Sequence, residues 1–550
     1  MNKIYHLILL QILSEAVVKT NKPQTHGRAG TLIYNSILLC ISSIIIRTVG
    51  VSFNVYVSNR VGAEVMGLYS LINSVFGFAL TLASSGINLA VTRCVAEAEG
   101  HQKETSGVMN RSVAMAAGFG LLSAFLLFGF SGIIGKLWLK DMRTVVPLRI
   151  MAISLPAISV SSALTGYFSA VRRAWKSASA QLAEQGVRIY ATAGLLTYFL
   201  PSGPEYACIA LVLGCAVSDL FSCLLSFLLF YFDRKKSISG ETLPERRYGI
   251  SKKLFGIAMP VAFSAYVRSG LTTLEHVLIP MGLQIYGASR GDALADYGII
   301  SGMVLPVVLF PYALIYSFTG LLVPEIAGAA SEKHVNRIRY ISCRVWRLTI
   351  VLGCACAGIM AVCSAEFGQY LYDNEKAGRY IAALAPLLPV MYLDTVTDSL
   401  LKGLGEQVYT MNVNIADAAI SVILVKLLVP LFGINGYIAV LYISELINFT
   451  FSAARMIKRT GIKIKVFKWA IMPLLCIIAV SRICCILFSA FPLTSLPGWG
   501  QLTVHILILL ILFAVTIRLS GVFDGEYCRW LTDSMKIRRR EKTNCSEAAD

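Results

Sequence analysis

Charged side chains are scarce in this sequence. Of its 550 residues only 15% are Asp, Glu, Lys or Arg, whereas 56% are hydrophobic, and the mean hydropathy is +0.68. A soluble protein of ordinary composition carries about 25% charged residues. The low charge therefore argues against a large soluble protein and indicates one that resides in a lipid bilayer.

Catalytic and metal-binding motifs are missing as well. The chain has six histidines and contains no nucleophile elbow, HExxH, phosphate-loop or dinucleotide-binding pattern. Its 14 cysteines form no C-x-x-C pair, and most lie in apolar segments, where cysteine behaves as a small hydrophobic residue. We therefore expect no enzymatic activity, no cofactor, no metal site and no disulfide framework.

Long apolar runs dominate the chain instead. Many exceed the ~20 residues that a helix needs to cross about 30 Å of hydrocarbon. They do not alternate polar and apolar residues as barrel strands do, and backbone groups in lipid must be satisfied within their own segment. The sequence predicts fourteen membrane-spanning helices, numbered here as spans 1 to 14: 32–56, 67–92, 112–134, 146–170, 178–200, 206–232, 254–280, 297–321, 345–366, 380–401, 411–429, 436–455, 466–490 and 501–522.

The net charge of +18 reflects membrane topology rather than nucleic-acid binding. If both termini are cytoplasmic, the inner loops and tails hold 35 of the 49 Lys and Arg residues and the outer loops hold seven. Such an excess is typical of the cytoplasmic side, where anionic lipid also attracts basic segments. We expect a protein of the cytoplasmic membrane with both termini inside and no nucleic-acid partner.

Three patterns recur in the same order in the two halves of the chain. Ser43 and Arg47 match Ser264 and Arg268, the interval Tyr69 to Glu97 matches Tyr297 to Glu325, and Ser218-Asp219-Leu220 matches Ser444-Glu445-Leu446. Together they indicate an internal duplication. In membrane proteins, duplicated halves are typical of transporters whose site lies between them.

The predicted fold is therefore an all-α integral membrane protein with two pseudo-symmetric six-helix lobes and two further C-terminal helices. Residues 1–30 lack a signal-peptide cleavage site and are expected to form an uncleaved extension. The expected layout continues as follows: first lobe 31–232 (spans 1 to 6), basic cytoplasmic linker 233–253, second lobe 254–462 (spans 7 to 12), spans 13 and 14 in 463–523, and a basic cytoplasmic tail 524–550.

Arginines within the spans are candidate substrate-binding residues. A charge at the middle of the bilayer costs about 2.5–3.5 kcal/mol, so it usually faces a water-filled cavity or a partner. Arg47 and Arg268 lie near the middle of spans 1 and 7, which the repeat makes equivalent. Facing each other, they would form a cationic clamp suited to phosphate oxygens. Pairing of Arg268 with Glu275 is the alternative, although about 10 Å of helix separates them. Arg188 of span 5 is a third candidate.

Carboxylates within the spans allow two interpretations. Asp219 and Glu445 are equivalent in the repeat and could bind a coupling cation or proton, or could neutralise Arg188 or another buried base. Asp394 and Asp398 share one face of span 10, where Asp398 lies four residues before Lys402. For Asp398 a salt bridge to Lys402 is the favoured interpretation.

Several motifs resemble those of the stage V sporulation protein B-like family of polysaccharide and oligosaccharide flippases. Multidrug and toxin extrusion transporters and the lipid II flippase belong to the same superfamily. The motifs are Arg47-Thr-Val-Gly50, Arg60-Val-Gly-Ala-Glu64, Gly67-Leu-Tyr69, Ala83-Ser-Ser-Gly86-Ile87, the stretch from Thr165 to Arg173, Leu305-Pro306, Phe310-Pro311 and Asp524-Gly-Glu526. The resemblance extends over roughly residues 30–531 in order.

This resemblance implies two bundles around a central cavity and transport by alternating access. The implied substrate is an undecaprenyl-pyrophosphate-linked saccharide, either a peptidoglycan precursor or a polysaccharide repeat unit, flipped to the outer leaflet. Membrane lipid and cell-wall synthesis enzymes are the other implied partners. The lipid II flippase is similar in having an arginine at the position of Arg47, but it has a second arginine where Phe53 stands here. Two alternatives stay open, namely a cation-coupled multidrug antiporter and a non-transporting scaffold for cell-wall synthesis.

Overall fold

The computed structural model describes residues 28–97, 102–236, 250–462, 465–490 and 498–522, and these residues are helical apart from short connections. The predicted N-terminal extension, most of the basic linker, the C-terminal tail and the Asp524 motif lie outside them. The α-helices are α1 (Arg28–Ser84), α2 (Ile87–Glu97), α3 (Gln102–Ile133), α4 (Val145–Ala170), α5 (Ala174–Phe199), α6 (Pro204–Lys236), α7 (Ile250–Tyr286), α8 (Arg290–Gly298), α9 (Leu305–Val308), α10 (Tyr312–Ser331), α11 (Val335–Val362), α12 (Ser364–Tyr372), α13 (Glu375–Leu384), α14 (Leu388–Gly403), α15 (Gln407–Phe432), α16 (Ile434–Thr460), α17 (Met472–Ala490) and α18 (Gly498–Leu519).

Twelve helical segments of the described residues are long and apolar enough to cross a membrane, two fewer than the sequence predicted. Spans 1 and 2 fall within a single segment, Ile45–Glu97, whose 53 residues are far longer than one crossing requires. Span 5 corresponds to α5, which carries Lys176, Glu184 and Arg188 and is not among the twelve. The chain is a multi-pass, all-helical membrane protein with twelve candidate spans among the described residues.

Gly62 divides α1 into two arms that correspond to spans 1 and 2. Its φ of 80° and ψ of 172° interrupt the helix at this one residue. Only glycine adopts this conformation without strain, because any Cβ would clash with the backbone. The long helix is therefore two helices joined at a sharp bend.

The region predicted as the single span 8 is interrupted rather than continuous. After α8 the backbone widens into a π-helical segment, Ile299–Val304, and after α9 the helix stops at Leu309. Pro306 and Pro311 explain part of this difference, because proline has no backbone N–H and cannot complete the helical hydrogen bonds. A new helix, α10, then begins at Tyr312.

The outer surface of the bundle is apolar, as a lipid-facing surface must be. Large side chains such as Phe125 (75% exposed), Ile511 (62%) and Leu519 (81%) project outward. The interior is a large cluster of buried aliphatic and aromatic residues that continues from the first half of the chain into the second. Two ends are distinguished below: the linker end, where α6 stops and α7 starts, and the Arg290 end, which contains the turns before α4, α8 and α13.

At the linker end, Asp233 ties α4, α5 and α6 together. Its side chain is 3% exposed and forms ion pairs with Arg173 and Lys176. The hydroxyl of Tyr167 also donates a hydrogen bond to it over 3.3 Å. One carboxylate thus satisfies two cations and a phenol from neighbouring helices.

Asp233→Asn should lower the free energy of unfolding by about 1–3 kcal/mol, because the two cations lose a partner inside the protein. Thermal unfolding of the purified protein in detergent measures the change. Glu325→Gln is the matched control, since Glu325 pairs with Arg337 in an exposed ion pair that contributes about 0–1 kcal/mol. Equal melting temperatures for both variants would contradict the structural role of Asp233.

Candidate functional site

Arg47 lies on the first arm of α1 and reaches a helix of the other half. Its guanidinium carbon is 5.8 Å from the centroid of the Tyr312 ring, at the start of α10. The side chain is exposed, and no ion pair among the described residues includes it. A cation–π contact at an exposed site contributes about 0.5–1 kcal/mol, far less than a partner anion would. The positive charge of Arg47 is therefore largely uncompensated.

Arg268 lies on α7 and is also exposed. Within the described part of the chain it has neither a hydrogen bond nor an ion pair, so the pairing with Glu275 considered above is not formed there. The carboxylates of Asp394 on α14 and Asp417 on α15 act on it electrostatically. Arg268 therefore interacts with acids from other helices, at a distance longer than a salt bridge.

Two tyrosines connect the surroundings of the two arginines. The ring of Tyr312, which contacts Arg47, lies 5.9 Å from the ring of Tyr392 between centroids. Tyr392 belongs to α14, two residues before Asp394, the carboxylate that acts on Arg268. The surroundings of both arginines thus include α14.

A group of carboxylates from four helices lies within the second half. Asp394 interacts electrostatically with Glu445, Asp398 and Asp417, and Glu275 interacts with Asp417. Some of these acids are held by neutral donors. Asn414 donates to Asp398 over 3.1 Å, and Ser444 donates to Asp417. Asp398 also has a cationic partner, Lys402 at 3.9 Å, which is the predicted salt bridge. The acids outnumber the cations that reach them.

Asp394 and Asn448 are hydrogen-bonded to each other, and each also has one unsatisfied oxygen atom. Asn448 Nδ2 donates to Asp394 Oδ2 over 3.1 Å, whereas Asp394 Oδ1 and Asn448 Oδ1 have no hydrogen-bond partner among the described residues. The two residues are only 8% and 6% exposed. Buried acceptors are normally paired, so this pair of oxygens can accept a proton or a cation. No group of three acidic, His or Cys side chains in the described residues is arranged to hold a metal ion.

The equivalent position in the first half has different surroundings. Asp219 is 9% exposed, and its Oδ1 lies 3.2 Å from Arg188 Nη2, which is also 2.8 Å from Glu184 Oε1. Arg188 Nε donates to Ser218 Oγ over 3.2 Å. This geometry favours the alternative in which Asp219 neutralises Arg188, and it leaves Arg188 less available to an external anion. The repeat partners Asp219 and Glu445 therefore differ, since one faces a guanidinium and the other faces carboxylates.

Three residues of this site, Asp417, Asn448 and Tyr312, were not predicted from the sequence. Two of them had a recognisable signal. Asn414 and Asp417 are three residues apart on α15, and Ser444, Asn448 and Ser452 recur every four residues on α16. Each pattern is a polar stripe within an apolar helix, which marks an inward-facing surface. Tyr312 had no such signal, because aromatic residues are common in membrane helices.

The first half and the start of the second match a known family. The model of the family described as polysaccharide biosynthesis protein matches residues 32–328, more than half of the chain. The chain belongs to this family.

Individual comparisons agree with this assignment. Stage V sporulation protein B of Bacillus subtilis (strain 168) is 26% identical over 497 residues, which cover 88% of this chain and 95% of that protein. A structure of the lipid II flippase MurJ in an inward closed conformation aligns with a TM-score of 0.60 at 14% identity, covering 88% of this chain and 98% of that one. An inward-facing multidrug resistance MATE transporter of the MOP superfamily also aligns with a TM-score of 0.60, at 12% identity, covering 77% and 99%. At these identities the structures show the fold alone, which this chain shares with both transporters.

Proposed function

We propose that this protein is a flippase that carries a polyprenyl-pyrophosphate-linked saccharide across the cytoplasmic membrane by alternating access. The observation that carries the proposal is the pair of exposed arginines, Arg47 and Arg268, within membrane-spanning helices. Neither has an ion-pair partner in the described residues. The similarity to proteins named for sporulation and for lipid II flipping supports the same class of substrate.

Physical chemistry connects the arginines to an anionic substrate. A guanidinium exposed to hydrocarbon would cost about 2.5–3.5 kcal/mol, so we infer that both face a water-filled cavity. A pyrophosphate brings about two negative charges into this cavity, and Arg can bind phosphate oxygens through two parallel hydrogen bonds. The polyprenyl tail stays in lipid while the head group crosses. Rocking of two six-helix lobes, 31–232 and 254–462, would expose the cavity alternately to each side.

The proposed topology has fourteen crossings with both termini in the cytoplasm. The two arms of α1 each cross once, and α5 crosses although it is more polar than its neighbours. In this arrangement the linker end is cytoplasmic and the Arg290 end is external. The basic residues of the inner loops then lie beside anionic lipid head groups.

Cysteine labelling tests this topology. A cysteine introduced at Ser202, in the turn between α5 and α6, should react with a membrane-impermeant maleimide added to intact cells. A cysteine introduced at Lys236 should react only after permeabilisation. The parent protein without either added cysteine is the control for labelling of native thiols. The reverse pattern would invert the topology.

Removing either arginine should abolish flipping. Arg47→Ala and Arg268→Ala lose the charge that binds the pyrophosphate, and Arg47→Lys should also be impaired because lysine cannot form the two-pronged contact. Each variant is reconstituted into liposomes with a fluorescent lipid-linked pyrophosphate, and outward flipping is measured.

Arg149→Ala is the matched control for these variants. Arg149 is also an exposed helical arginine with a cation–π contact, 5.4 Å from the Phe128 centroid, but it lies elsewhere on α4. The Arg149→Ala variant should flip the lipid at the rate of the unmodified protein. Normal flipping by both alanine variants would contradict the proposal, and absence of flipping by the unmodified protein would favour the scaffold alternative.

The acids around Arg268 are the proposed coupling site. Of the two coupling residues predicted from the sequence, Glu445 belongs to this site, whereas Asp219 would act through its ion pair with Arg188. A proton or monovalent cation bound at Asp394 and Asn448 would cancel negative charge close to Arg268. Less negative charge there favours binding of an anionic head group, so the two ligands are linked. The multidrug antiporter alternative finds its support in the same acids, because they could bind a cationic drug.

Asp394→Asn should therefore bind a polyprenyl pyrophosphate several-fold more tightly and lose the dependence of this affinity on pH or sodium. Glu445→Gln should weaken the same dependence. Binding is measured on purified protein by titration with the short-chain lipid across pH and sodium concentration.

Asp296→Asn is the control for these two substitutions, since Asp296 pairs with Lys376 at the Arg290 end. It should leave affinity and ion dependence unchanged. Weaker pyrophosphate binding by Asp394→Asn would reverse the predicted sign and exclude the linkage. Tighter binding of an organic cation by the unmodified protein than of the pyrophosphate would favour the drug antiporter.

A further inference from the structure

The two halves of the chain approach each other at backbone distance at the Arg290 end. Gly67 on the second arm of α1 lies so near α8 that an added Cβ would be 2.0 Å from the carbonyl oxygen of Leu294. A Cβ on Gly298 would be 2.2 Å from the carbonyl oxygen of Ala63 and 2.8 Å from Gly67 Cα. Real Cβ atoms essentially never come this close, so none of these three distances could be tolerated without a shift. The two helices therefore touch through bare backbone, with no side chains interlocked between these two glycines.

Few polar contacts join the halves at this end. Arg290 Nη2 lies 3.3 Å from Asp141 Oδ2 and donates to the carbonyl oxygen of Leu139 over 3.4 Å. Asn59 Nδ2 on α1 donates to the carbonyl oxygen of Leu371 on α12 over 2.6 Å. The side chains of Arg290 and Asn59 are exposed, so water can replace their partners. Separating the halves would therefore not leave the charge of Arg290 buried without a partner.

Each half also retains its own ion pairs when the two are separated. Arg143 binds Glu64 over 3.0 Å and Asp141 over 2.8 Å, all within the first half. Burial alone would raise the pKa of Asp141, but hydrogen bonds from Arg143 hold it below its usual value, so this carboxylate stays ionised without Arg290. In the second half, Lys376 remains with Asp296 at 2.8 Å. Of the ion pairs described at this end, the one that separation breaks is that of Arg290 with Asp141, and Asn59 exchanges the carbonyl oxygen of Leu371 for water.

The helix that carries Gly298 has a place to bend. The π-helical segment Ile299–Val304 follows α8 directly, and such segments have weaker, irregular hydrogen bonding and often occur at functional sites. Within this segment, a Cβ added to Gly302 would lie 3.1 Å from the terminal methyl carbon of Met66. Methionine is a flexible side chain, so it can adjust as the helix moves. A hinge thus adjoins the contact between the halves.

We propose that the contact between Gly67 and Gly298, held by Arg290 on Asp141, is the gate that closes the Arg290 end of the transport pathway. It opens when α8 swings away from α1 about the π-helical segment. This inference rests on the alternating-access transport proposed above, for which it supplies the residues of one gate. A methyl group on either glycine prevents α1 and α8 from closing fully. Removal of the Arg290 charge leaves the closed contact possible but less stable.

Hydrogen–deuterium exchange of the full-length protein in detergent, read by mass spectrometry without substrate, tests the gate. Gly298→Ala and Arg290→Gln should each speed deuterium uptake several-fold in peptides covering 60–70 and 290–304. The matched controls are Gly77→Ala, on α1 with open space around its Cβ, and Lys376→Gln, which breaks an ion pair inside one half. Alanine favours helix over glycine, so Gly77→Ala should keep or slow the uptake.

The two variants keep the test decisive. Arg290→Gln introduces no steric strain, so it reports on the gate even if Gly298→Ala does not fold. Uptake equal to that of the controls in every folded variant would overturn the gate. Deuterium exchange is measured without transport, so the two proposals can fail separately. If the unmodified protein does not flip lipid but Gly298→Ala and Arg290→Gln show the faster uptake, the proposed function is overturned and the opening of this contact is still supported.

Discussion

A guanidinium group within a membrane needs water or an anion, and this requirement organises the site. Arg47 and Arg268 are exposed within spanning helices. Among the described residues, Arg47 contacts the ring of Tyr312, and Arg268 interacts with carboxylates beyond salt-bridge distance. Hydrocarbon cannot compensate such a charge. The proposed cavity, which admits water and an anionic head group, would satisfy both arginines, and the proposed transport places it between two halves that separate.

The two halves repeat in sequence but differ in chemistry. Arg188 engages Asp219 and Glu184 in the first half, so both carboxylates there have a cationic partner. In the second half, Glu445 lies among Asp394, Asp398 and Asp417, and within the described part of the chain Asp394 Oδ1 and Asn448 Oδ1 have no hydrogen-bond partner. The two halves that the sequence predicts to be repeats thus differ, since one holds acids paired with a guanidinium and the other holds acids that outnumber their cations. We infer that the second half senses ions while the first supplies Arg47 to the substrate.

Much of the fold could be predicted because membrane insertion constrains the sequence directly. Apolar length predicts helices, and each of the fourteen predicted spans overlaps helix in the described residues. Interruptions were harder to predict. The π-helical segment Ile299–Val304 depends on tertiary packing, and the bend at Gly62 depends on one backbone conformation that glycine permits but does not require.

Site residues were predictable where a charge violated the apolar pattern. Arg47, Arg268, Arg188, Asp219 and Glu445 stand out for that reason. Partner choice was not predictable, because it depends on which helices pack together. Sequence spacing suggested Glu275 as a partner for Arg268, whereas packing brings Asp394 and Asp417 from α14 and α15 into electrostatic range. Tyr312 reaches Arg47 because a new helix begins there.

An experimental structure with bound undecaprenyl pyrophosphate tests the central claim most directly, namely that Arg47 and Arg268 bind one anion together. Both guanidinium groups should lie within hydrogen-bond distance of the pyrophosphate oxygens, in a cavity open to water on one side. A pyrophosphate bound elsewhere, or either arginine pointing into lipid in that complex, would contradict it.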